Sequence, residues 1–511
     1  MHSHPMRYVC ALLCLWSNLA LAVNILDPFN TEAMLPLKPA LRLGGAVGDP
    51  CAEAVQNGVL NLLNSALSLP DVVNLALCNN PQTREAWANA RVQAAQVGVS
   101  EASYLPSPNL TASGNRSRFE AQPTVYQRNI GLNLSYLLYD FGARAANVEN
   151  ARQLLAAASA TQSSTVQAVF LSAVQAFYQA QASQAALNAA LESERAAKES
   201  FAAAETRYTT GSATPADKLQ AQTAYSQATL NRITADGNMK NAKGTLANMI
   251  GMDANRNVPL IAANGFSVRQ SSFTNPPKPD AAAAGTAGQD PAKGTASAEE
   301  GEALKIFERD VAALIEDARQ HRPDLYAAAA QVKAAEANVD AARAAGKPSI
   351  SLTASTNQST DAGVVSRGSS AGISLSVPLF TGFASTYRIR AAEAQVESQN
   401  AQFERLRLQV ALDVWTAYQN LTTATQSLRT TADLLNSAEQ SERVALGRYK
   451  AGVGSILDVL NAQSALASAR QRRIQSTFNW NISRATLAQA MGSLDAGLLQ
   501  ALPDSSRPPE K

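Results

Sequence analysis

Long apolar runs are missing from this 511-residue chain. After the leader, no segment carries the roughly 20 apolar residues that a transmembrane helix needs, so any membrane crossing must use strands. Charge is sparse as well: 16% of residues are charged, and 43 basic against 41 acidic groups leave a net +2. No strong field points to nucleic acid or to an acidic partner. The only histidine beyond the leader is His321, beside the Arg322-Pro323 pair, and it reads as a polar surface residue. A phosphate-cradling glycine loop, a paired-cysteine metal motif and a nucleophile elbow are all lacking. Neither enzymatic chemistry nor a cofactor or metal is expected. Of four cysteines, Cys10 and Cys14 fall in the leader. Leu13 before Cys14 is not small, which argues against lipidation. Cys51 and Cys78 remain; in an exported chain they are expected to form a disulfide rather than two buried thiols, stapling the segment 23–69 to the first helix. Aromatics make up only 6%; with alanine abundant, the composition suits long, closely packed helices better than a bulky core.

Met1–Ala22 has the make-up of a secretory signal: Arg7, an apolar run from Tyr8 to Trp16, and Ala20-Leu21-Ala22 at the cleavage position. The strongest pattern comes later. Ile130, Leu132, Leu134, Tyr136 and Leu138 alternate with residues that are mostly Asn, Gly and Ser, the period of a strand with one apolar face. After Asp140-Phe141-Gly142 the period changes. Val166, Val169, Phe170, Ala173, Val174 and Phe177 recur at helical spacing, and no proline interrupts before Thr214. A strand runs straight into a helix of about 65 residues, on the order of 100 Å long.

The passage occurs twice. Ala371–Val377 alternates and Pro378-Leu379-Phe380-Thr381-Gly382-Phe383 opens a second long helix, with Leu406, Val410, Val414, Ala417 and Leu421 as its stripe. Asn80-Pro81 answers Arg322-Pro323, Pro106-Ser107 answers Pro348-Ser349, Tyr208 with Gly211 answers Tyr449 with Gly452, and Gly251 answers Gly492, all at an offset of 241 or 242 positions. The chain is a tandem duplication. Its expected divisions are a signal at 1–22, an extension at 23–69, a first repeat at 70–262, a linker rich in Ala, Gly and Pro at 263–305, a second repeat at 306–494 and a disordered tail at 495–511. Each repeat is expected to hold a helix of about 33 residues (Leu69 to near Tyr104; Val311–Ala345), two strands, a long helix and a return helix. The strands are placed at Ser107–Asn115, Arg128–Tyr139, Ser349–Asn357 and Ala371–Val377, with Gly114–Gln127 as a polar hairpin loop. Gly211 and Gly452 end the long helices; Thr214-Pro215-Ala216-Asp217 caps the first return helix, which ends near Met249, and Ser455 begins the second.

Four strands cannot close a membrane barrel, since the smallest use about eight, and an open edge in lipid leaves backbone groups unpaired at several kcal/mol each. Strands in a membrane therefore require several chains to share one barrel. In plan the chain resembles the TolC family of outer membrane factors. The residues that carry the likeness are the two helices begun by Asn80-Pro81 and Arg322-Pro323, Tyr104-Leu105-Pro106-Ser107, Leu138-Tyr139-Asp140-Phe141-Gly142, Leu379-Phe380-Thr381-Gly382, Arg448-Tyr449-Lys450-Ala451-Gly452 and Asp458-Val459-Leu460-Asn461-Ala462-Gln463. They span about Leu69–Leu494 apart from the linker. Leu77-Cys78-Asn79-Asn80-Pro81-Gln82 is similar to the branch linked to type I secretion. The resemblance implies a homotrimeric α/β-barrel: a long helical barrel through the periplasm and a shared twelve-stranded β-barrel in the outer membrane, four strands per chain. It also implies a periplasmic adaptor, an inner-membrane transporter, and export as the function. The rival reading is a trimeric adhesin or coiled-coil stalk, which leaves the strands inside the helical order unexplained.

Alternation and resemblance together set the candidate sites. Leu110, Ile130, Leu132, Leu134, Tyr136, Leu352, Ile373 and Leu375 are expected to face lipid, and Asn129, Asn133 and Ser135 to line water. The turns with Tyr208, Gly211, Tyr449 and Gly452 match the family's periplasmic tips, where partners dock. The resemblance also places a pore gate at the second tip, formed by Tyr449, Asp458 and the position of Asn461. Asp458 matches the family's first acidic position. Asn461 stands at the second, and Gly454 stands where the best-known member has a latching arginine. Asp217 is expected only to cap its helix.

Overall fold

A computed structural model describes residues 27–35, 66–118, 120, 124–256, 258–259, 311–361 and 363–493. The leader, most of the 23–69 extension, Cys51, the linker and the tail lie outside the described residues.

The chain opens on a 3-10 turn, Thr31–Met34. Then follow α1 (Leu69–Asn79), α2 (Pro81–Ala102), β1 (Ser107–Ser117), β2 (Val125–Tyr139), α3 (Ala143–Thr209) and α4 (Pro215–Met249). After a helix over 311–321, α5, the order repeats. It runs α6 (Pro323–Ala344), β3 (Ser349–Asp361), β4 (Val364–Ser376), α7 (Ala384–Lys450) and α8 (Ile456–Ala490). Corresponding helices agree in length: 67 residues for α3 and α7, 35 for α4 and α8, 22 for α2 and α6.

Three sequence expectations need correction. The single first helix is two, because the residue before a proline is pushed out of the α region: Asn80 is extended at φ −63°, ψ 129°. Its side chain restarts the helix, accepting from the Gln82 N–H at 2.9 Å. The same break falls at Arg322, before Pro323. The strands are longer than the apolar alternation suggested, and half of Gly114–Gln127 is ladder rather than loop. Serine and threonine carry β1, β3 and β4 onward, and neither face of these extensions is apolar enough to show a period of two. Finally, the strict alternation of β2 is interrupted at Leu138, because the β2–β3 register shifts between Leu137 and Tyr139: Leu138 is passed over in the ladder and Tyr139 takes the place opposite Ile350.

Two compact units contain these elements, and α3 and α7 contribute to both. Among the described residues, the first comprises 27–35 and those within 85–163 and 323–407. It holds the whole sheet, an antiparallel meander in the order β1-β2-β3-β4. Beside it Ala94 and Val97 of α2 pack on Ala151 and Leu155 of α3, with Leu35 against them. Leu35 follows the 3-10 turn, which Asp27 caps by accepting from the N–H groups of Thr31 and Glu32, both at 2.9 Å. Those bonds, the one from Glu32 foremost, hold the Asp27 carboxyl below its ordinary pKa.

The second unit holds α1, α4, α5, α8 and the later parts of α3 and α7. Its core joins Val72, Val73 and Ala76 to Val169, Val174 and Phe177 and to Leu246 and Ile250. Small residues let these helices approach closely. Gly251 at φ 78° caps α4, and a Cβ there would lie 2.9 Å from Asn79 atoms. Gly492, at φ 74°, meets the His321 carbonyl in the same way. Asn80 completes the first contact by donating to the Met249 carbonyl at 3.3 Å. The pairing of Asn80-Pro81 with Gly251, and of Arg322-Pro323 with Gly492, is thus a helix-end contact made twice.

Candidate functional site

The ladder register sorts the strands into two faces. Leu110 lies opposite Leu132, Tyr136 opposite Leu352, Leu352 opposite Ile373, and Ile350 opposite Leu375. Ile130 and Leu134 fall on the same side, so Leu110, Ile130, Leu132, Leu134, Tyr136, Leu352, Ile373 and Leu375 lie on one face of the sheet. The opposite face carries Asn109, Thr111, Asn129, Asn133, Ser135, Thr353 and Asn357 with a row of serines. Across β3 and β4 the hydroxyls pair directly: Ser351 with Ser374 and Ser355 with Ser370 at 2.8 Å, Ser359 with Ser366 at 2.7 Å. Such cross-strand pairs hold the register. Within the chain, β1 and β4 each pair on one side only.

Both strand-to-helix passages turn through left-handed backbone. Phe141 and Gly142 have φ 54° and 96°, Gly382 and Phe383 φ 62° and 64°. A positive φ at phenylalanine is strained, and in the first copy Arg144 and Asp140 hold the turn. The Arg144 guanidinium forms an ion pair with Asp140 at 3.1 Å, donates to the Leu137 carbonyl at 2.7 Å and stacks 4.6 Å from the Tyr104 ring. In the second copy Thr381 and Ser385 stand in those places, 3.3 Å apart. Around these turns Leu379, Phe380, Phe383 and Tyr387 are exposed, and Tyr139 meets Phe141 edge to face.

The helical tips follow one design. Gly211 and Gly452 take φ 75° and 80° with open space where a Cβ would lie. The N–H of Ser212 reaches the Arg207 carbonyl at 2.8 Å, and that of Val453 reaches Arg448 at 3.0 Å. Each closes a Schellman motif. Tyr208, Ser212 and Val453 are exposed. Tyr449 is 7% exposed, packed with Ala204, Ala221, Ile456 and Val459. Arg207 reaches across from α3, its guanidinium 4.0 Å from the Tyr449 ring and 2.6 Å from the Tyr449 carbonyl. Nearby, Ser200 and Gln463 exchange a hydrogen bond and Arg470 meets Glu192 at 3.0 Å. Asp217 caps α4, accepting from the Thr214 N–H at 2.9 Å while its own N–H donates to the Thr214 hydroxyl. Asp458 bears the same relation to Ser455, at a longer 3.4 Å. Asp458 and Asn461 are exposed on one side of α8. At Gly454 a Cβ would come within 2.9 Å of the Tyr449 nitrogen, so glycine there allows the turn to close on itself.

Cys78, half-buried at the end of α1, is disulfide-bonded; Cys51 lies outside the described residues. Arg144 and Arg207 were not singled out from the sequence. Arg144 had a signal, an acid four residues earlier, whereas Arg207 reads from sequence as a last-turn cation suited to the helix dipole. Among the described residues no helix is long and apolar enough to cross a membrane.

A two-faced sheet that continues into two 67-residue helices defines an α/β-barrel channel protein of the outer membrane. The particular family follows from comparison with known proteins. Residues 72–252 and 314–493 match the outer membrane efflux protein family, and the chain belongs to it. It is 30% identical to Protein CyaE of Bordetella pertussis over 96% of both chains. With the probable efflux pump outer membrane protein TtgC of Pseudomonas putida it shares 26% identity over 83% of each. Its fold matches the CmeC outer membrane channel of Campylobacter jejuni with a TM-score of 0.68 at 18% identity, covering 92% of this chain and 96% of that one. The protein is an outer-membrane exit duct that extends into the periplasm, not an enzyme, and the adhesin reading is set aside.

Proposed function

We propose that three copies of this chain close one twelve-stranded barrel, and that the duct so formed takes a polypeptide from an inner-membrane transporter through a periplasmic adaptor. The observation that carries the reading is the sheet itself: one face apolar, one face hydroxyl and amide, and an unpaired edge on each side. In lipid those edges must be paired, and joining β4 of one copy to β1 of the next pairs both. The apolar face then meets lipid and the serine face lines water. Exposed aromatics at the strand–helix turns suit the membrane–water interface, where amphipathic rings collect.

The family likeness supports the tips at Gly211 and Gly452 as the adaptor's docking points and the end bearing Asp458 as the gate. Polypeptide cargo is favoured by Leu77-Cys78-Asn79-Asn80-Pro81-Gln82, which is similar to the branch linked to type I secretion. Deleting the gene tests the cargo. Loss of one secreted protein with unchanged drug sensitivity is expected; raised drug sensitivity with secretion intact would assign the duct to small-molecule efflux.

A further inference from the structure

Four charged residues occur within the strands: Arg116, Arg128, Asp361 and Arg367. The register separates them by sign. Arg116 pairs with Tyr126, Arg128 with Thr360 and Arg367 with Gln358, which places all three arginines on the face of Ile130 and Leu132; Asp361 lies on the serine face. They also share one end of the sheet. Ile130 lies opposite Gln358, and Arg367 lies opposite Gln358 on its other side. Arg128 is one step further along, and Arg116 one step beyond that.

The apolar stretch from Ile130 to Tyr139 is about the 9–11 residues that a tilted strand needs to cross the hydrocarbon core. β2 begins at Val125, so the arginines stand just past that span. An arginine at mid-membrane would be costly and at the interface nearly free. Arg116 and Arg128 are diagonal neighbours across two strands, roughly 7–8 Å apart, a spacing at which like charges repel. Their contacts leave that charge in place: Arg116 stacks on the Tyr126 ring at 5.4 Å, and Arg367 donates through Nε to the side-chain amide oxygen Oε1 of Gln358 at 3.1 Å. The strands put no carboxylate on this face; Glu120 lies in the connecting hairpin.

We propose that Arg116, Arg128 and Arg367 form a binding site for the phosphate groups of an outer-leaflet lipid headgroup, seated where the apolar face ends. Guanidinium forks match phosphate oxygens in pairs, and an anion between diagonal arginines removes their repulsion. The inference rests on the reading that the apolar face meets lipid.

The test uses the purified full chain in detergent, titrated with a bis-phosphorylated glucosamine lipid and with the same lipid stripped of its phosphates, bound lipid being counted by native mass spectrometry. The phosphorylated form is expected to bind roughly tenfold more tightly. Arg116→Gln, Arg128→Gln and Arg367→Gln together should abolish that preference, while Asp361→Asn should keep it. Arg367→Gln alone, which leaves β1 and β2 intact, should lower the preference and serves if the triple variant does not fold. A preference unchanged in the arginine variants, or displacement of the lipid by an equal concentration of inorganic phosphate, would overturn the proposal. Quenching of Leu132→Trp fluorescence by brominated lipid tests the facing separately. Quenching together with an unchanged arginine effect defeats only the headgroup site, whereas no quenching defeats the placement of this face in lipid.

Discussion

Asp217 and Asp458 occupy the same position in two copies of one motif, so their difference isolates function from capping. Each accepts from the backbone of its cap residue, an interaction worth on the order of 1 kcal/mol. Asparagine keeps the size and removes the charge. In planar bilayers with added divalent cation, Asp458→Asn should weaken cation block and Asp217→Asn should not; equal small effects would leave both as caps. Arg207 belongs to the same scale. Its ring contact and carbonyl hydrogen bond at Tyr449 together hold the two tips by about 2 kcal/mol. Arg207→Met retains the stem and loses both interactions, and single-channel recordings should show more frequent or larger openings. Conductance indistinguishable from that of the parent would remove Arg207 from the gate.

At the scale of elements, the four cap glycines divide into two kinds. Gly211 and Gly452 have empty space around the missing Cβ, whereas Gly251 and Gly492 lie against the chain before a proline. Gly211→Ala should cost about 1–2 kcal/mol for its left-handed backbone alone. Gly251→Ala adds a collision with Asn79 and should lower the melting temperature further; equal shifts would mean that the helix ends separate without cost. The sequence showed all four glycines and their spacing, because a left-handed cap is a local demand that leaves a local mark. It did not show which of them touch, since Asn79 and Gly251 meet only in the folded unit. Long helices were legible for a similar reason: period and the absence of proline are properties of one segment. Strand ends were not, because a serine ladder such as Ser359–Ser366 is held by its partner and has no apolar rhythm of its own. Among the site residues, the apolar-face set was read from alternation up to Leu138, where a register shift that depends on β3 intervened. Arg207 was hidden because its target, Tyr449, is 242 positions away.

For the whole molecule, the assignment of faces decides whether the sheet can be one third of a barrel. With single cysteines and a membrane-impermeant maleimide, Asn133→Cys should label and Leu132→Cys should not; the reverse pattern would put the serine face in lipid and dismantle the trimeric duct. A barrel that passes this test has an inner wall in which hydroxyls on β3 and β4 already bind one another. Each such pair takes up one of its two O–H donors, and the other, like the side-chain amides of Asn109, Asn129 and Asn133, is left to water, so a chain sliding past meets hydrated neutral groups. The wall's one acidic strand residue, Asp361, accepts from the Gln127 side-chain amide at 3.3 Å. Such a surface works as a wet bearing: it sorts cargo neither by sequence nor by sign of charge, and it lets transit time depend on the push from behind.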